Sequence, residues 1–182
     1  MPEKRGPWTV LKKNVIYRDP WIEVRKDDVI RPEGSKGTYS MVTAKHGVSV
    51  LPIDDKGNVY LVREFKYALG KYSISTSSGG IEGSEPPLKA AKRELAEELG
   101  IKAKRWKYLG KINPFTTFVF SEAHLFLAQG LELGQPKNDD GEIIEMVKVK
   151  FEKAVEMVLN NKIDHSPSAI LILKAKEYLK DK

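Results

Sequence analysis

The sequence predicts an α/β fold, an α/β/α sandwich with a mixed sheet, preceded by an N-terminal extension that is rich in β-strands. Two patterns predict this class: short runs of β-branched and aromatic residues with partial alternation, and three segments with helical periodicity placed among them. The length of 182 residues suits one domain with a sizeable core and an appendage. Hydrophobic residues at 41% and charged residues at 31% are ordinary for a globular protein, so composition agrees with this class.

The N-terminal extension is predicted over residues 1–44. Its residue types predict a turn over 31–37 and short strands at Trp8–Val10, Val15–Tyr17, Trp21–Arg25, Asp28–Ile30 and Thr38–Val42. A few hairpins of this kind are too open to fold securely alone. We therefore expect the extension to pack on the main domain, predicted over 45–182, or on a second subunit.

The main domain begins with a predicted hairpin, in which the polar turn Asp54–Asn58 joins two apolar strands. The strands predicted in this domain are Val48–Ile53, Val59–Glu64, Ile74–Ser78, Trp106–Asn113, Ala123–Leu127 and Ile143–Lys150. Helical periodicity predicts an amphipathic helix over Phe151–Leu159 and a last helix that starts at Ser166. Four apolar residues are expected to dock the last helix on the core: Ile170, Leu171, Leu173 and Leu179.

Another helix is predicted between the third and fourth of these strands. Ser84 is a suitable N-cap, Pro86 and Pro87 fit a first turn, and Gly100 is a suitable residue to end the helix. At about 100° per residue, its apolar side chains form one narrow stripe. This stripe must face a core, and it consists of Leu88, Ala91, Leu95 and Leu99.

Three glutamates lie on one flank of that helix. Glu94 and Glu98 are four residues apart, so their carboxylates are about one turn apart, and Glu97 lies beside them. Acidic groups near a helix C-terminus repel each other and oppose the helix dipole. Mg²⁺ takes carboxylate oxygens while keeping phosphates and waters as its other ligands, so a bound cation would relieve this repulsion. The alternative is an ordinary solvated acidic face.

Composition excludes several kinds of site and partner. The chain has no cysteine, which excludes disulfides and thiol catalysis, and its three histidines lack metal-ligand spacing. No apolar run reaches about 18 residues, and the first seven residues lack a signal-peptide core, so we expect a cytoplasmic protein without a membrane partner. The net charge of +6 is dispersed, with no basic run longer than two residues. It favours attraction of anionic nucleotides, and we expect no nucleic-acid partner.

The spacing from Gly79 to Ile101 carries a family resemblance. Gly79, five residues, Glu85, seven residues and then the segment 93–101, RELAEELGI, match the Nudix box at every specified position. Resemblance to the Nudix hydrolases implies the same α/β/α sandwich and cleavage of a nucleoside diphosphate linked to another moiety, with Mg²⁺ or Mn²⁺. It also implies roles for individual residues: Glu94 and Glu98 as metal ligands, Glu97 as an assisting carboxylate, the Ser78 carbonyl as a further ligand, and Arg93 as the residue that holds the glutamates.

Features outside the box resemble the ADP-ribose (ADP-sugar) pyrophosphatase branch. They are the strand-rich extension, the stretch Val62–Lys66, Pro114, and the loop and strand that begin at Asp140. The resemblance implies a homodimer that exchanges its N-terminal strands, with Trp21 and Tyr39 stacking on the base. It also places Arg63 and Lys66 beside the substrate.

The chain departs from this branch at three places. The segment that enters the box reads STSSG over 75–79 where the branch has E-L-P-A-G, so a customary carboxylate is replaced by Ser75. Lys66 stands where an arginine usually grips the diphosphate, and it offers a point charge instead of a fork. Ala44 stands where the branch often has an arginine. These departures leave hydrolysis intact but leave the sugar open.

The resulting hypothesis is Mg²⁺-dependent hydrolysis of ADP-ribose or a related nucleoside diphosphate sugar, a small-molecule substrate, to a nucleoside monophosphate and a sugar phosphate. A loop carboxylate takes the proton of the attacking water, and the candidates are Glu142 and, as its alternative, Glu145. Two other functions stay open. One is Nudix hydrolysis of another substrate, such as GDP-mannose or a dinucleoside polyphosphate. The other is a sensor that binds a nucleotide sugar without cleaving it.

Overall fold

A computed structural model describes residues 2–137 and 143–180. The chain folds into two compact units, one of Met1–His46 with Asn113–Glu122 and one of Gly47–Ile112 with Ala123–Lys182. The described residues form thirteen strands and three α-helices. In chain order they are β1 (Glu3–Arg5), β2 (Trp8–Lys12), β3 (Val15–Arg18), β4 (Ile22–Ile30), β5 (Lys36–Ala44), β6 (Gly47–Pro52), β7 (Asn58–Lys66), β8 (Lys71–Ser75), β9 (Ser77–Gly80), α1 (Pro87–Leu99), β10 (Ile101–Ile112), β11 (Val119–Phe120), β12 (Ala123–Leu133), β13 (Glu145–Lys150), α2 (Phe151–Leu159) and α3 (Ser166–Lys180).

The N-terminal unit is one six-stranded sheet. Its order is β1-β2-β4-β5-β11, with β3 also paired to β4. All pairs are antiparallel except β11, which runs parallel to β5. The two strands predicted at Trp21–Arg25 and Asp28–Ile30 are a single strand, β4, which begins one residue after Trp21. The charged residues that interrupted the pattern do not end the strand, because Asp27 is buried beside Arg25 and forms an ion pair with it.

The second unit contains two sheets, β10-β12-β6-β9 and β13-β7-β8. β12 runs parallel to β6, whereas the other pairs are antiparallel, so the predicted mixed sheet is confirmed. The strand predicted at Ile74–Ser78 is wrong in one respect: β8 ends at Ser75 and β9 starts at Ser77, each in a different sheet. Thr76 is the buried residue at which the chain crosses between them.

Alternate residues of the strands face two different helical layers. Val62 and Phe126 pack in a cluster with α1, whereas Leu61 and Leu127 pack in a cluster with α2 and α3. Because successive side chains of a strand point to opposite faces, this division places the strands between two layers of helices. The predicted α/β/α sandwich is therefore confirmed. Among the described residues, no helix has the length and apolar character needed to cross a membrane.

The helix α1 starts later than predicted. Its N-cap is Pro86, in an extended conformation and without a side-chain cap, so the prediction of Ser84 was wrong. The following proline disfavours the helical region for Pro86, which delays the start of the helix to Pro87. The helix ends as predicted, with Gly100 in the left-handed conformation at φ 63°. Leu88, in the first turn, is exposed, whereas the other residues of the predicted stripe are buried.

The other predicted helices are close to the structure. α2 has the predicted bounds, and α3 starts at Ser166 as predicted. Leu171 of α3 is buried and Ile170 and Leu179 pack partly against the core. Leu173 is exposed, so its predicted docking was wrong; Ile172 is buried in its place.

Candidate active site

The carboxylate of Glu98 is buried at the junction of α1 and β9. Only 9% of this residue is exposed, and its Oε2 accepts a hydrogen bond of 3.0 Å from the backbone N–H of Ser78. Ser78 lies in β9, directly opposite Ser49 of β6, so the four-stranded sheet fixes the direction of this N–H. The candidate metal residues Ser78 and Glu98 are thus brought together by a sheet and a helix.

Gly79 makes room for the second carboxylate. A Cβ added at Gly79 would lie well under 3.0 Å from the carboxylate atoms of Glu94, a separation that real Cβ atoms essentially never show. The absence of a side chain at this position therefore allows Glu94 to reach the backbone of β9 next to Ser78. The two glutamates predicted as metal ligands flank the same short strand.

Arg93 connects α1 to the segment before it. Its Nη1 donates to Glu94 at 2.8 Å and to Glu97 at 3.0 Å, while its Nη2 donates to Glu85 at 2.8 Å and to the Gly80 carbonyl at 2.9 Å. One planar guanidinium holds all four groups, which fixes the orientation of the carboxylates. Glu97 is the most solvent-exposed of these acids, with 44% of its side chain accessible.

The buried carboxylates bind protons more tightly than usual. Burial raises the pKa of Glu98 to about 8, and the negative charges of Glu94 and Glu64 add to this effect. Burial also raises the pKa of Glu94, although the Arg93 guanidinium opposes the shift. In contrast, hydrogen bonds from Arg93 and from the Glu82 backbone lower the pKa of Glu85. The site therefore holds two neighbouring carboxylates whose ionised forms would be stabilised by an added positive charge.

These features fit a divalent cation. Two carboxylates of raised pKa face a strand on which Gly79 lacks a side chain, and hard oxygen donors are the ligands that such ions take. Within 2–137 and 143–180, no three His, Asp or Glu side chains are arranged to hold an ion by themselves. Mg²⁺ commonly takes one or two protein carboxylates and completes its coordination with substrate phosphates and waters, so the donor set present is sufficient.

The structure gives protein partners to both basic candidates for substrate binding. Lys66 forms an ion pair with Glu64. Arg63 donates to Glu145 at 2.6 Å and lies 4.2 Å from the ring centre of Tyr72. Glu145, the alternative candidate for the base, is therefore engaged by Arg63. The first candidate, Glu142, lies outside the described residues.

Trp21 and Tyr39 lie far apart in the N-terminal unit. Tyr39 pairs with Asp27 across β4 and β5, whereas Trp21 precedes Asp27 by six residues. At about 3.3 Å per residue this corresponds to roughly 20 Å along the sheet. Trp21 is 65% exposed, and Tyr39 contacts Trp8 edge to face at 5.3 Å between ring centres. Within a single protomer, these two aromatic residues are therefore too far apart to stack on the same base.

Sequence reasoning missed two features beside the carboxylates. One is Glu64, which is only 9% exposed and whose negative charge raises the pKa of Glu98. In the sequence, the only indication was that Glu64 lies among the charged residues at the end of the predicted strand. The other is a hydrogen-bonded row of four side chains, three of them buried and one partly buried, for which the sequence offers no pattern. Neighbours in this row are 2.6–3.0 Å apart, and it consists of Ser49, Thr76, Ser168 and His165.

Comparisons with known proteins agree with this geometry. Residues 43–170 match the family model of the NUDIX domain, and residues 8–42 match the nucleoside diphosphate sugar hydrolase N-terminal domain. The chain is 31% identical to the ADP-ribose pyrophosphatase of Bacillus subtilis (strain 168), over 93% of this chain and 94% of that protein. It is 24% identical to the ADP compounds hydrolase NudE of Escherichia coli (strain K12), over 94% and 93%. A crystal structure of an ADP compounds hydrolase superposes with a TM-score of 0.87 at 23% identity, covering 98% of this chain and 97% of that one, which shows the shared fold.

Proposed function

The chain belongs to the Nudix family and is a Nudix pyrophosphatase, and on this premise we propose that its substrate is ADP-ribose or a related nucleoside diphosphate sugar. Hydrolysis of the diphosphate bond would give a nucleoside monophosphate and a sugar phosphate. One observation carries the proposal: Glu94 and Glu98 converge on β9 and are locked there by Arg93 and by the Ser78 N–H. The match over 8–42 to the N-terminal domain of nucleoside diphosphate sugar hydrolases supports the sugar-linked substrate class.

The proposed cofactor is Mg²⁺, with Mn²⁺ as a substitute, held by Glu94, Glu98 and the Ser78 carbonyl. A bound divalent cation would neutralise charge on the diphosphate and lower the pKa of an attacking water. Arg93 acts as a positioning residue, since its contacts end on protein groups that it orients. Glu97, on the more exposed side of the cluster, assists Glu94 and Glu98 in holding the cation.

Glu142 is the proposed general base, and it would take a proton from the attacking water. Glu145 is the alternative, but its carboxylate accepts a hydrogen bond from Arg63. This contact holds the carboxylate of Glu145 at β13. In this proposal Arg63 and Lys66 attract the diphosphate, each exchanging its carboxylate partner, Glu145 or Glu64, for phosphate oxygens.

The proposed assembly is a homodimer that exchanges its N-terminal strands. The separation of roughly 20 Å between Trp21 and Tyr39 in one protomer supports it. If both rings stack on one base, then they come from two subunits. Aromatic stacking of this kind is worth about 1–3 kcal/mol per base.

Phosphate release from a substrate panel tests the function. The panel is ADP-ribose, GDP-mannose, UDP-glucose, diadenosine polyphosphates and NADH, each with Mg²⁺ and with EDTA, and the products are made measurable by a phosphatase. We expect the highest kcat/KM for ADP-ribose or another ADP-sugar and no turnover in EDTA. A clear preference for GDP-mannose or a dinucleoside polyphosphate would contradict the proposed substrate. Tight binding without turnover of any of them would indicate a sensor.

Subunit exchange tests the shared site. We expect a Glu98→Gln protein and a Trp21→Ala protein each to be weakly active, and subunit exchange after mixing should give heterodimers. If Trp21 acts on the metal site of its partner, then one of the two sites in each heterodimer is intact and activity recovers. Monomers in light scattering, or no recovery after verified exchange, would contradict the exchanged dimer.

A further inference from the structure

One histidine is held in place at the start of α3. His165 directly precedes the helix, and its carbonyl accepts a hydrogen bond of 3.0 Å from the Ala169 N–H in the first turn. Its ring is partly buried, and the Nδ1 atom lies 2.8 Å from the Oγ of Ser168. Both the backbone and the ring of His165 are therefore fixed by α3, yet the site described above gives this ring no role.

The residue before it, Asp164, is tied to β8. Its carboxylate accepts hydrogen bonds from Lys71 at 2.7 Å and from Ser73 at 3.4 Å. In the β7–β8 pair, Lys71 is directly opposite Lys66. Likewise, Ser73 is directly opposite Glu64. Directly opposite side chains point to the same face of a sheet, so Asp164 lies beside the face that carries Lys66 and Glu64.

Electrostatic interactions agree with this placement of His165. The positive charge of Lys66 lowers the pKa of the imidazole, and the negative charge of Glu64 raises it, so both groups are near the ring. The charge of Glu64 also raises the pKa of Glu98, a proposed metal ligand. His165 therefore lies close to Lys66, the proposed diphosphate cation, at the side of the candidate metal site where Glu64 is buried.

The row of Ser49, Thr76, Ser168 and His165 determines which ring nitrogen carries the proton. It has three side-chain contacts, of 2.6, 3.0 and 2.8 Å, and three hydroxyl protons. If every hydroxyl donates towards the histidine, each contact has one proton and Nδ1 is the acceptor. In the opposite direction, the proton of the fully buried Ser49 has no other acceptor among the described residues. An unpaired buried donor is costly, so the network assigns the first arrangement.

Acceptance at Nδ1 leaves the proton of the neutral ring on Nε2. Burial lowers the pKa of His165, and the charge of Lys66 adds to this effect, although Glu64 and Asp164 oppose it. The ring is therefore neutral near pH 7. Within residues 2–137 and 143–180, Nε2 has no hydrogen-bond partner, and it is not a buried atom. The protein thus presents a fixed, neutral N–H donor.

We propose that the Nε2–H of His165 donates a hydrogen bond to a non-bridging oxygen of the substrate diphosphate, next to Lys66. The inference rests on the proposed function, which supplies the diphosphate. Phosphate oxygens are negatively charged, and hydrogen bonds with one charged partner are stronger than neutral ones. A neutral donor adds such a bond without bringing a further cation close to Lys66 and Lys71.

Two amide variants separate this role from a structural one. In His165→Gln, the side-chain nitrogen is as many bonds from Cα as Nε2 is, so the donor to the substrate is kept and the acceptor for Ser168 is lost. In His165→Asn, the amide oxygen replaces Nδ1 as the acceptor for Ser168, but the side chain is too short to replace the Nε2 donor. A contact with substrate predicts that His165→Asn is the impaired variant, whereas a structural role predicts that His165→Gln is.

The assay measures kcat/KM for ADP-ribose at saturating Mg²⁺, with thermal unfolding in parallel. We expect a fall of at least about tenfold in His165→Asn and of no more than about twofold in His165→Gln, since a hydrogen bond to a charged group is lost only in the first. His124→Gln is the matched control, because this ring contacts Tyr108 of β10, and it should keep full activity. Full activity in His165→Asn, or a loss in His165→Gln that is as large or larger, would overturn the proposal.

Imidazole signals of the unmodified protein test the same contact without a change at His165. The chain has three histidines, and the variants His46→Gln and His124→Gln identify the His165 signals by elimination in a ¹⁵N-correlated spectrum. We expect a neutral ring with its proton on Nε2 at pH 7.5. ADP in EDTA, which presents a diphosphate without turnover, should shift the Nε2 signal. A proton on Nδ1, or an Nε2 signal that ADP does not shift, would overturn the proposal.

The two proposals fail in different ways. ADP-ribose hydrolysis that is unaffected by His165→Asn would overturn the role of His165 and leave the proposed function intact. ADP binding that is weakened at least about tenfold in His165→Asn and kept in His165→Gln, without hydrolysis of any ADP-sugar, would support the role of His165 and refute the proposed function.

Discussion

Gly79→Ala is expected to remove activity while preserving the fold. The added Cβ would fall well under 3.0 Å from the carboxylate of Glu94, so this carboxylate must withdraw. It is the far end of a flexible side chain and can do so at low cost, and we therefore expect the free energy of unfolding to change by no more than about 1 kcal/mol. The required displacement is about 1 Å, and a misplacement of this size in a catalytic site can lower the rate by about 100-fold.

The assay measures kcat for ADP-ribose at saturating Mg²⁺, with thermal unfolding measured in parallel. We expect kcat to fall at least about 100-fold, equivalent to about 2.7 kcal/mol of transition-state stabilisation. Gly37→Ala is the matched control, because its Cβ would meet the end of another flexible side chain, Arg31, also under 3.0 Å. It should retain full activity. A folded Gly79→Ala protein with unchanged kcat would refute the assignment of Glu94 as a metal ligand.

Three further predictions concern other residues. Arg93→Lys should lower kcat at least about tenfold with little change in KM, since lysine cannot reproduce the fork; unchanged kinetics would contradict its positioning role. Glu142→Gln should lower kcat and leave KM nearly constant, and the same result for Glu145→Gln instead would transfer the role of base. Burial raises the pKa of Asp54, but hydrogen bonds from Asn58 and Tyr60 outweigh it and lower the pKa overall. Asp54→Asn should therefore destabilise the protein by about 1–3 kcal/mol at pH 7, and the difference in unfolding free energy should shrink as the pH falls below about 3.8; a difference independent of pH would contradict this.

The sequence was sufficient to predict the carboxylate cluster because the cluster depends on local spacing. Glu94 and Glu98 share a helix flank by helical periodicity alone, and Gly100 ends the helix through its own backbone preference. The partners of Arg93 could be predicted from the sequence only in part. Its contact with Glu97 follows from the four-residue spacing, whereas its contact with the Gly80 carbonyl depends on how the preceding strand returns to the helix.

Long-range pairing explains most of the features that the sequence did not predict. Thr76 divides one predicted strand between two sheets, and it does so because its N–H bonds to Ser168, 92 residues away in the chain. Asp27 is a different case: it interrupted the strand pattern because a buried charge is unusual, although its partner Arg25 is only two residues away on the same face of β4.

The most direct test of the central claim is the turnover of Glu98→Gln and Glu94→Gln with ADP-ribose at saturating Mg²⁺. Glutamine has a similar volume and helix propensity, so each variant should fold like the unmodified protein. Glu152→Gln, on the exposed face of α2, is the control for a charge change on a helix. We expect kcat to fall at least about 100-fold in both site variants and to be unchanged in the control. Near-full turnover in both Glu94→Gln and Glu98→Gln would contradict the assignment of this cluster as the active site.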